Sequence, residues 1–169
     1  MTRPMEPSIQ PRAEIDLCDF LFLREITELD DNGLRLLLQE GTVALETVSV
    51  KVGGAEISGC HRIESTSESR LFEVVWQRYV AYAVRNESFV SPDEYEISVG
   101  SRFRVYSRSS FLDFVRSATF VTDDYPGPIQ HIAVTCEDDI VDVVSTKEPT
   151  VKRLRPILPQ ADVGSKLPN

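Results

Sequence analysis

Residues 102–145 read RFRVYSRSSFLDFVRSATFVTDDYPGPIQHIAVTCEDDIVDVVS, and this stretch decides the fold. Apolar and polar side chains alternate over residues 102–106 and again over 129–145, a pattern that is typical of strands. Between them, residues 110–120 have the apolar spacing of a helix, and residues 122–128 hold two prolines around a glycine, which end any regular element. We therefore predict a strand, a helix, a loop and a β-hairpin in this order.

The helical segment has one bulky apolar face. At ~100° per residue, four of its apolar side chains fall on the same side of a helix; these are Phe111, Phe114, Val115 and Ala118. Ser110 and Asp113 have the S-x-x-D spacing in which a hydroxyl accepts a hydrogen bond from a free N–H of the first turn. Phe120 lies off this face, so it either marks the helix end or is an exposed aromatic side chain. We predict that the helix packs on a sheet through the four apolar residues.

The predicted hairpin contains a histidine and an aspartate that could form a catalytic pair. Asp138 and Asp139 fit its two-residue turn. This turn would place Asp142 opposite Thr135, with His131 about 13 Å further along the sheet at ~3.3 Å per residue. We therefore expect His131 and Asp142 to lie apart.

The rest of the chain predicts further hairpins. Asn32-Gly33 between two apolar runs is a strong turn signal, and Gly53-Gly54 is a second one. Residues 70–87 fit either alternating strands or a helix, and their β-branched and aromatic content favours strands.

These elements predict an α+β domain over residues 14–151. Its sheet is mostly antiparallel, built from hairpins with about 6–9 strands, and one main helix at about 110–120 packs on it. A flexible lead over residues 1–13 and a flexible, proline-containing tail over 152–169 are expected to flank the domain.

Composition excludes several classes of function. The 169 residues carry a net charge of −9, which disfavours binding to nucleic acid because phosphates attract clustered Lys and Arg. No run approaches the ~18 apolar residues of a membrane span, and residues 1–12 lack the apolar core of a secretory signal. The three widely spaced cysteines predict a reduced, cytoplasmic protein.

The sequence contains no recognisable set of catalytic, metal-binding or cofactor-binding residues. Cys60 and His61 are adjacent, so their side chains would point to opposite faces of a strand, and we expect no metal site. No glycine-rich phosphate loop and no nucleophile motif occur, so we expect no cofactor and assign no catalytic residue. Asp123 and Asp124 are the candidate pair for carboxylate chemistry. They precede the Tyr125-Pro126 bond, whose cis or trans form the sequence leaves open.

Two groups of side chains are candidates for binding. The first 69 residues hold 6 basic and 13 acidic residues, so the acidic hairpin region is predicted to bind a basic protein partner. Its candidate contact residues are Glu28, Asp30 and Asp31, with Phe120 and Tyr125 as aromatic anchors. The arginines Arg102, Arg104 and Arg108 form a candidate anion site, although they could instead neutralise the acidic hairpins.

In size, acidity and lack of a catalytic set, the chain resembles bacterial toxin-neutralising (immunity) proteins. This resemblance implies a non-catalytic intracellular module for protein–protein interaction. Two alternatives stay open. One is a small hydrolase or ligand-binding enzyme that uses the cleft between sheet and helix, and the other is a self-associating structural module, for example a homodimer.

Overall fold

The computed structural model describes residues 10–91 and 93–154. Within them the chain forms two α-helices and ten strands. The helices are α1 (Pro11–Asp16) and α2 (Ser110–Ala118). The strands are β1 (Phe20–Leu29), β2 (Gly33–Val52), β3 (Ala55–Glu64), β4 (Leu71–Trp76), β5 (Tyr79–Asn86), β6 (Ile97–Val99), β7 (Phe103–Arg108), β8 (Gln130–Thr135), β9 (Asp139–Ser145) and β10 (Thr150–Leu154).

The strands form two antiparallel sheets. The first has the order β1-β2-β4-β10, with β3 paired to the far half of β2, and the second has the order β5-β9-β8-β7-β6. The predicted α+β class, with a mostly antiparallel sheet and one main helix, is confirmed. The two sheets pack face to face around a shared core.

The core lies between the two sheets because each contributes one row of alternating apolar side chains. In β4, every second side chain is buried: Phe72, Val74 and Trp76. They belong to one cluster with residues of the second sheet, including Phe103, Ile132 and Val143. Burying such side chains stabilises the fold by about 1.5–3 kcal/mol each.

The ambiguous segment 70–87 forms two strands, as its composition favoured. The strands do not pair with each other, since β4 belongs to the first sheet and β5 to the second. The chain crosses between the sheets at Gln77 and Arg78.

Helix α2 packs on the outer face of the second sheet, away from the main core. Leu112 and Val115 are buried against Val144. Phe114, by contrast, is 61% exposed, and Ala118 is also exposed, so half of the predicted contact face was wrong. Leu112 takes the place of Phe114 in the buried face, and the N-cap is Ser109 rather than the predicted Ser110.

The ends of the described chain extend the predicted domain. Helix α1 begins at Pro11, within the predicted lead, and β10 reaches Leu154, within the predicted tail. The remaining residues of these two predicted segments lie outside the described residues.

Beyond Gly41, strand β2 leaves the first sheet and pairs only with β3. We call this two-stranded projection, residues 42–64, the arm. A glycine is needed at its base because a Cβ at Gly41 would lie 2.6 Å from the Phe22 ring and 2.9 Å from the Ile63 side chain. One face of the arm carries an apolar stripe formed by Val48, Val50, Val52, Ile57 and Cys60.

The turn between β1 and β2 differs from the predicted one. Asp31 and Asn32 take the left-handed conformation, with φ of 57° and 60°, and Gly33 does not. Aspartate and asparagine tolerate this conformation better than other side chains. The turn therefore presents its two acidic residues, Asp30 and Asp31, at the tip.

Candidate functional site

A buried polar network lies on the outer face of the second sheet, at the start of α2. His131 on β8 stands between two partners: its Nδ1 is 2.7 Å from Ser109 Oγ, and its Nε2 is 3.0 Å from Asp142 Oδ1. All three side chains are almost completely buried. Because buried polar groups are costly without partners, the chain of hydrogen bonds is what allows them to be here.

The contact between His131 and Asp142 corrects the predicted register of the hairpin. The turn occurs one residue earlier than expected, with Glu137 and Asp138 at its tip. A shift of one residue in the turn moves the strand pairing by two residues. Asp142 therefore lies opposite Ala133 and diagonal to His131, rather than about 13 Å away.

Arg85 on β5 closes the network on the solvent side. Its Nε and Nη2 atoms donate hydrogen bonds to the two oxygens of Asp142, at 2.7 and 3.0 Å. Burial alone would raise the pKa of Asp142, but the hydrogen bonds from His131 and Arg85 outweigh burial and lower that pKa. Asp142 is therefore an ionised carboxylate at neutral pH.

The network ties the first turn of α2 to the sheet. Ser109 is the N-cap of the helix, and its Oγ accepts a hydrogen bond from the N–H of Leu112 at 3.0 Å. The His131 ring is stacked on Tyr106, with centroids 4.3 Å apart, and meets the edge of Phe111 at 5.4 Å. These contacts hold the imidazole from both sides.

A hydrogen-bonded line of serine, histidine and aspartate is also an arrangement that serves nucleophilic catalysis. Here Ser109 has no exposed surface, and its oxygen already accepts the capping hydrogen bond. A substrate carbonyl cannot approach this oxygen without unfolding the start of α2. The line is therefore a structural support rather than a nucleophile.

A cleft of about 340 Å³ lies over Asp142, between α2 and the loop that follows β5. The sheet contributes its floor, and the helix and the loop form its walls. Its lining residues are Ala83, Arg85, Ser91, Asp93, Glu96, Ser110, Phe111 and Asp142. A smaller depression of about 180 Å³ adjoins it and shares Arg85, Ser91, Asp93 and Glu96.

Asp93 connects the loop wall of the cleft to the helix wall. Its Oδ2 accepts a hydrogen bond from the Ser110 hydroxyl at 3.0 Å, and its Oδ1 accepts one from the backbone of Tyr95 at 2.9 Å. These hydrogen bonds join Asp93 to the first turn of α2 and to Tyr95.

The three arginines of the predicted anion site do not share one surface. Arg102 forms a 3.0 Å ion pair with Glu137 and donates to two backbone carbonyls that precede β1. Arg108 lies over the Tyr95 ring and donates to its backbone oxygen at 2.6 Å. Arg104 alone lines the depression beside the cleft.

The turn that carries Asp30 and Asp31 and the loop that carries Tyr125, by contrast, meet at one surface. Asp31 in the β1–β2 turn and Pro126 in the loop after α2 line the same depression of about 430 Å³. Next to Pro126, the rings of Phe120 and Tyr125 stack with centroids 6.1 Å apart, although they are 82% and 65% exposed. We call the surface formed by these residues and Asp30 the acidic-aromatic end.

Glu28 has a different role from its acidic neighbours. Its carboxylate accepts hydrogen bonds from the hydroxyls of Tyr79 and Tyr82, at 3.3 and 2.9 Å. The pKa of Tyr82 is raised, chiefly by this hydrogen bond. Glu28 thus joins β1 to β5, and one of its carboxylate oxygens already accepts hydrogen bonds within the protein.

The structure also locates the residues considered for metal or carboxylate chemistry. Asp123 and Asp124 are exposed in the loop after α2. Across the arm, His61 pairs with Thr47 and Cys60 with Val48, so the two side chains lie on opposite faces. Among residues 10–91 and 93–154, no three His, Cys, Asp or Glu side chains gather as metal ligands would.

Within the same residues, neither helix has the length and apolar character needed to cross a membrane. Comparison with known proteins adds no further assignment. No family model, curated protein or solved structure matches this chain significantly.

Proposed function

We propose that this protein is a non-catalytic interaction module that binds a protein partner through its acidic-aromatic end. The observation that carries the proposal is that Asp31 and Pro126 line one depression, although they lie far apart in the sequence. The fold thus brings an acidic turn and an exposed aromatic pair to one surface.

The aromatic pair supplies the anchors. Phe120 and Tyr125 form an exposed, stacked pair, and aromatic residues dominate the binding energy of many interfaces. Their mutual stacking holds both side chains in place before binding, which reduces the entropy lost on association.

The charges favour a basic partner. Asp30 and Asp31 are exposed in the β1–β2 turn, and Asp123 and Asp124 are exposed in the loop that carries Tyr125. The depression between them is lined by Asp31 together with Arg78 and Lys147. Complementary charge raises the association rate and selects among partners. A small cytoplasmic protein that neutralises a basic toxin, as immunity proteins do, would have these properties.

A photo-crosslinking experiment can identify the partner at this surface. With a benzophenone amino acid at position 125, we expect a specific crosslinked protein in the host cell. The same amino acid at position 89 is the matched control, because Phe89 is 87% exposed but does not belong to the acidic-aromatic end. Identical products from both positions would contradict the proposal.

Binding kinetics with the crosslinked partner then test the charges and the anchors. Phe120→Ala with Tyr125→Ala should weaken binding by at least ~30-fold, corresponding to the loss of about 2 kcal/mol. Asp30→Asn with Asp31→Asn should slow association several-fold at low salt and less at physiological salt, where the Debye length is ~8 Å. Glu46→Gln with Glu56→Gln, on the arm, should change neither rate. An acidic partner, or association that is unaffected by the Asp30 and Asp31 substitutions, would overturn the proposal.

The arm favours self-association as a second candidate function. A two-stranded hairpin without further packing is marginally stable in water, and Val50, Val52 and Ile57 are 43%, 59% and 50% exposed on one face. The charged residues Lys51 and Glu56 pair across the opposite face. The stripe itself is apolar, and charged side chains, Glu46, Arg62 and Glu64, adjoin it only at Val48. Its outer part, Val50, Val52 and Ile57, therefore offers two copies of the chain an apolar contact.

Sedimentation at increasing protein concentration tests this candidate. We expect a monomer–dimer equilibrium, and Val50→Lys should shift its midpoint to at least ~tenfold higher concentration because it buries a charge in the stripe. Ser49→Lys places the same charge on the opposite face and should leave the equilibrium unchanged. A chain that stays monomeric at all concentrations would exclude the arm as a dimer surface.

A further inference from the structure

The cleft over Asp142 and the adjoining depression form one site with two halves, since they share four lining residues. The cleft, at about 340 Å³, has the size of a small-molecule site, for which ~300 Å³ is the lower end of the usual range. Its floor is rigid because Asp142 is held by Arg85 and His131. Its loop wall is tied to α2 through Asp93.

The sheet side of this site is cationic. Arg104 Nε is buried and has no hydrogen-bond partner among the described residues. A buried donor without a partner is costly, so it normally bonds a water or a ligand atom. Arg85 uses two of its nitrogens on Asp142, while its side chain remains 41% exposed toward the cleft and the depression.

The loop side of the site is anionic. Asp93 and Glu96 line both halves, whereas the charge of Asp142 is already matched by Arg85. Glu96 and Arg85 line both halves together. The pKa of Arg85 is raised chiefly by its hydrogen bond to Asp142, and the charge of Glu96 adds to this shift. Phe111 supplies an apolar wall between the charged groups.

We propose that this site binds a small dipolar ligand of amino-acid size, independently of the acidic-aromatic end. Its anionic group faces Arg104, whose buried Nε lacks an acceptor among the described residues, and its ammonium group faces Glu96. A ligand with a single charge would leave one wall of the site unmatched. An anion would lie against two carboxylates, and a cation would leave the buried Arg104 Nε without an acceptor.

Two-dimensional NMR of the isotope-labelled protein tests this inference with defined probes. The probes are the common L-amino acids and γ-aminobutyrate, added singly, with acetate and methylammonium as ligands that carry one charge. We expect at least one dipolar probe to give saturable shift changes at the amides of Arg85, Glu96, Arg104 and Ser110. Acetate and methylammonium should each bind at least ~tenfold more weakly, which is ~1.4 kcal/mol.

Two variants locate the binding in the site. Arg104→Gln and Glu96→Gln should each weaken the dipolar probe by at least ~tenfold, whereas Arg62→Gln on the arm should not. The spectrum of each variant reports whether it is folded, and Glu96 lies on a loop, where a substitution leaves the core intact. No saturable probe, equal binding of a singly charged probe, or unchanged affinity of both variants would overturn the inference.

Discussion

Replacing Asp142 with asparagine is expected to lower the free energy of unfolding by about 2–4 kcal/mol. The substitution keeps the shape of the side chain but removes the charge to which Arg85 and His131 are bonded. An amide presents one oxygen acceptor instead of two, so at least one buried donor loses its partner. The expected loss is moderated because Arg85 is 41% exposed and can turn to water. Urea unfolding at pH 7 measures the change.

An exposed ion pair provides the matched control. Glu148 pairs with Arg12 at 3.4 Å, and their side chains are 62% and 40% exposed. Glu148→Gln should therefore change the free energy of unfolding by less than about 1 kcal/mol. If Asp142→Asn cost no more than this control, the buried network would not support the fold as argued.

The effect of Asp142 on stability should also depend on pH. Its pKa is lowered in the folded protein, so its charge stabilises the fold above the unfolded pKa of about 3.9. This stabilisation is lost as the pH falls through the lower, folded pKa. The difference between wild type and Asp142→Asn should therefore be constant from neutral pH down to about pH 5 and shrink below pH 4. A difference that grew on acidification would contradict the assigned charge.

Replacing Leu112 with alanine is expected to lower the free energy of unfolding by about 2–4 kcal/mol. Leu112 is only 5% exposed and packs with Val115 and Val144 where α2 meets the second sheet. Removing its side chain leaves a cavity next to the buried Ser109 cap, which limits how far the helix can settle. Urea unfolding of the purified variant gives the change.

Phe114→Ala serves as the control on the same helix. Although phenylalanine is the larger side chain, Phe114 is 61% exposed, so its removal should cost less than about 1 kcal/mol. The reverse order, a large loss at Phe114 and a small one at Leu112, would restore the helix face predicted from the sequence alone.

Part of the candidate site has a signal in the sequence. Asp142 interrupts an otherwise apolar strand, and His131 precedes another apolar run. A polar side chain that is buried among apolar residues needs a hydrogen-bond partner. This signal indicates a buried pair but does not name its members. Arg85 completes the network from a strand that is distant in the sequence. No pattern in the sequence around Arg85 indicates that it pairs with Asp142.

Local patterns determined the types of element. The alternation over residues 129–145 predicts strands, the spacing over residues 110–120 predicts a helix, and Asn32-Gly33 predicts a turn between two strands, all of which the structure contains. The sequence reveals such patterns because each depends only on residues that are a few positions apart in a helix or strand.

The tertiary structure alone decided how these elements meet. The β8–β9 turn lies one residue earlier than predicted, and this shift brings His131 next to Asp142. The crossover at Gln77 and Arg78 places β4 and β5 in different sheets. Packing of Leu112 and Val115 against Val144 decided which face of α2 is buried. Each outcome depends on contacts between residues that are distant in the sequence. Several strand registers fit the same local pattern, and only the packing of the complete fold distinguishes them.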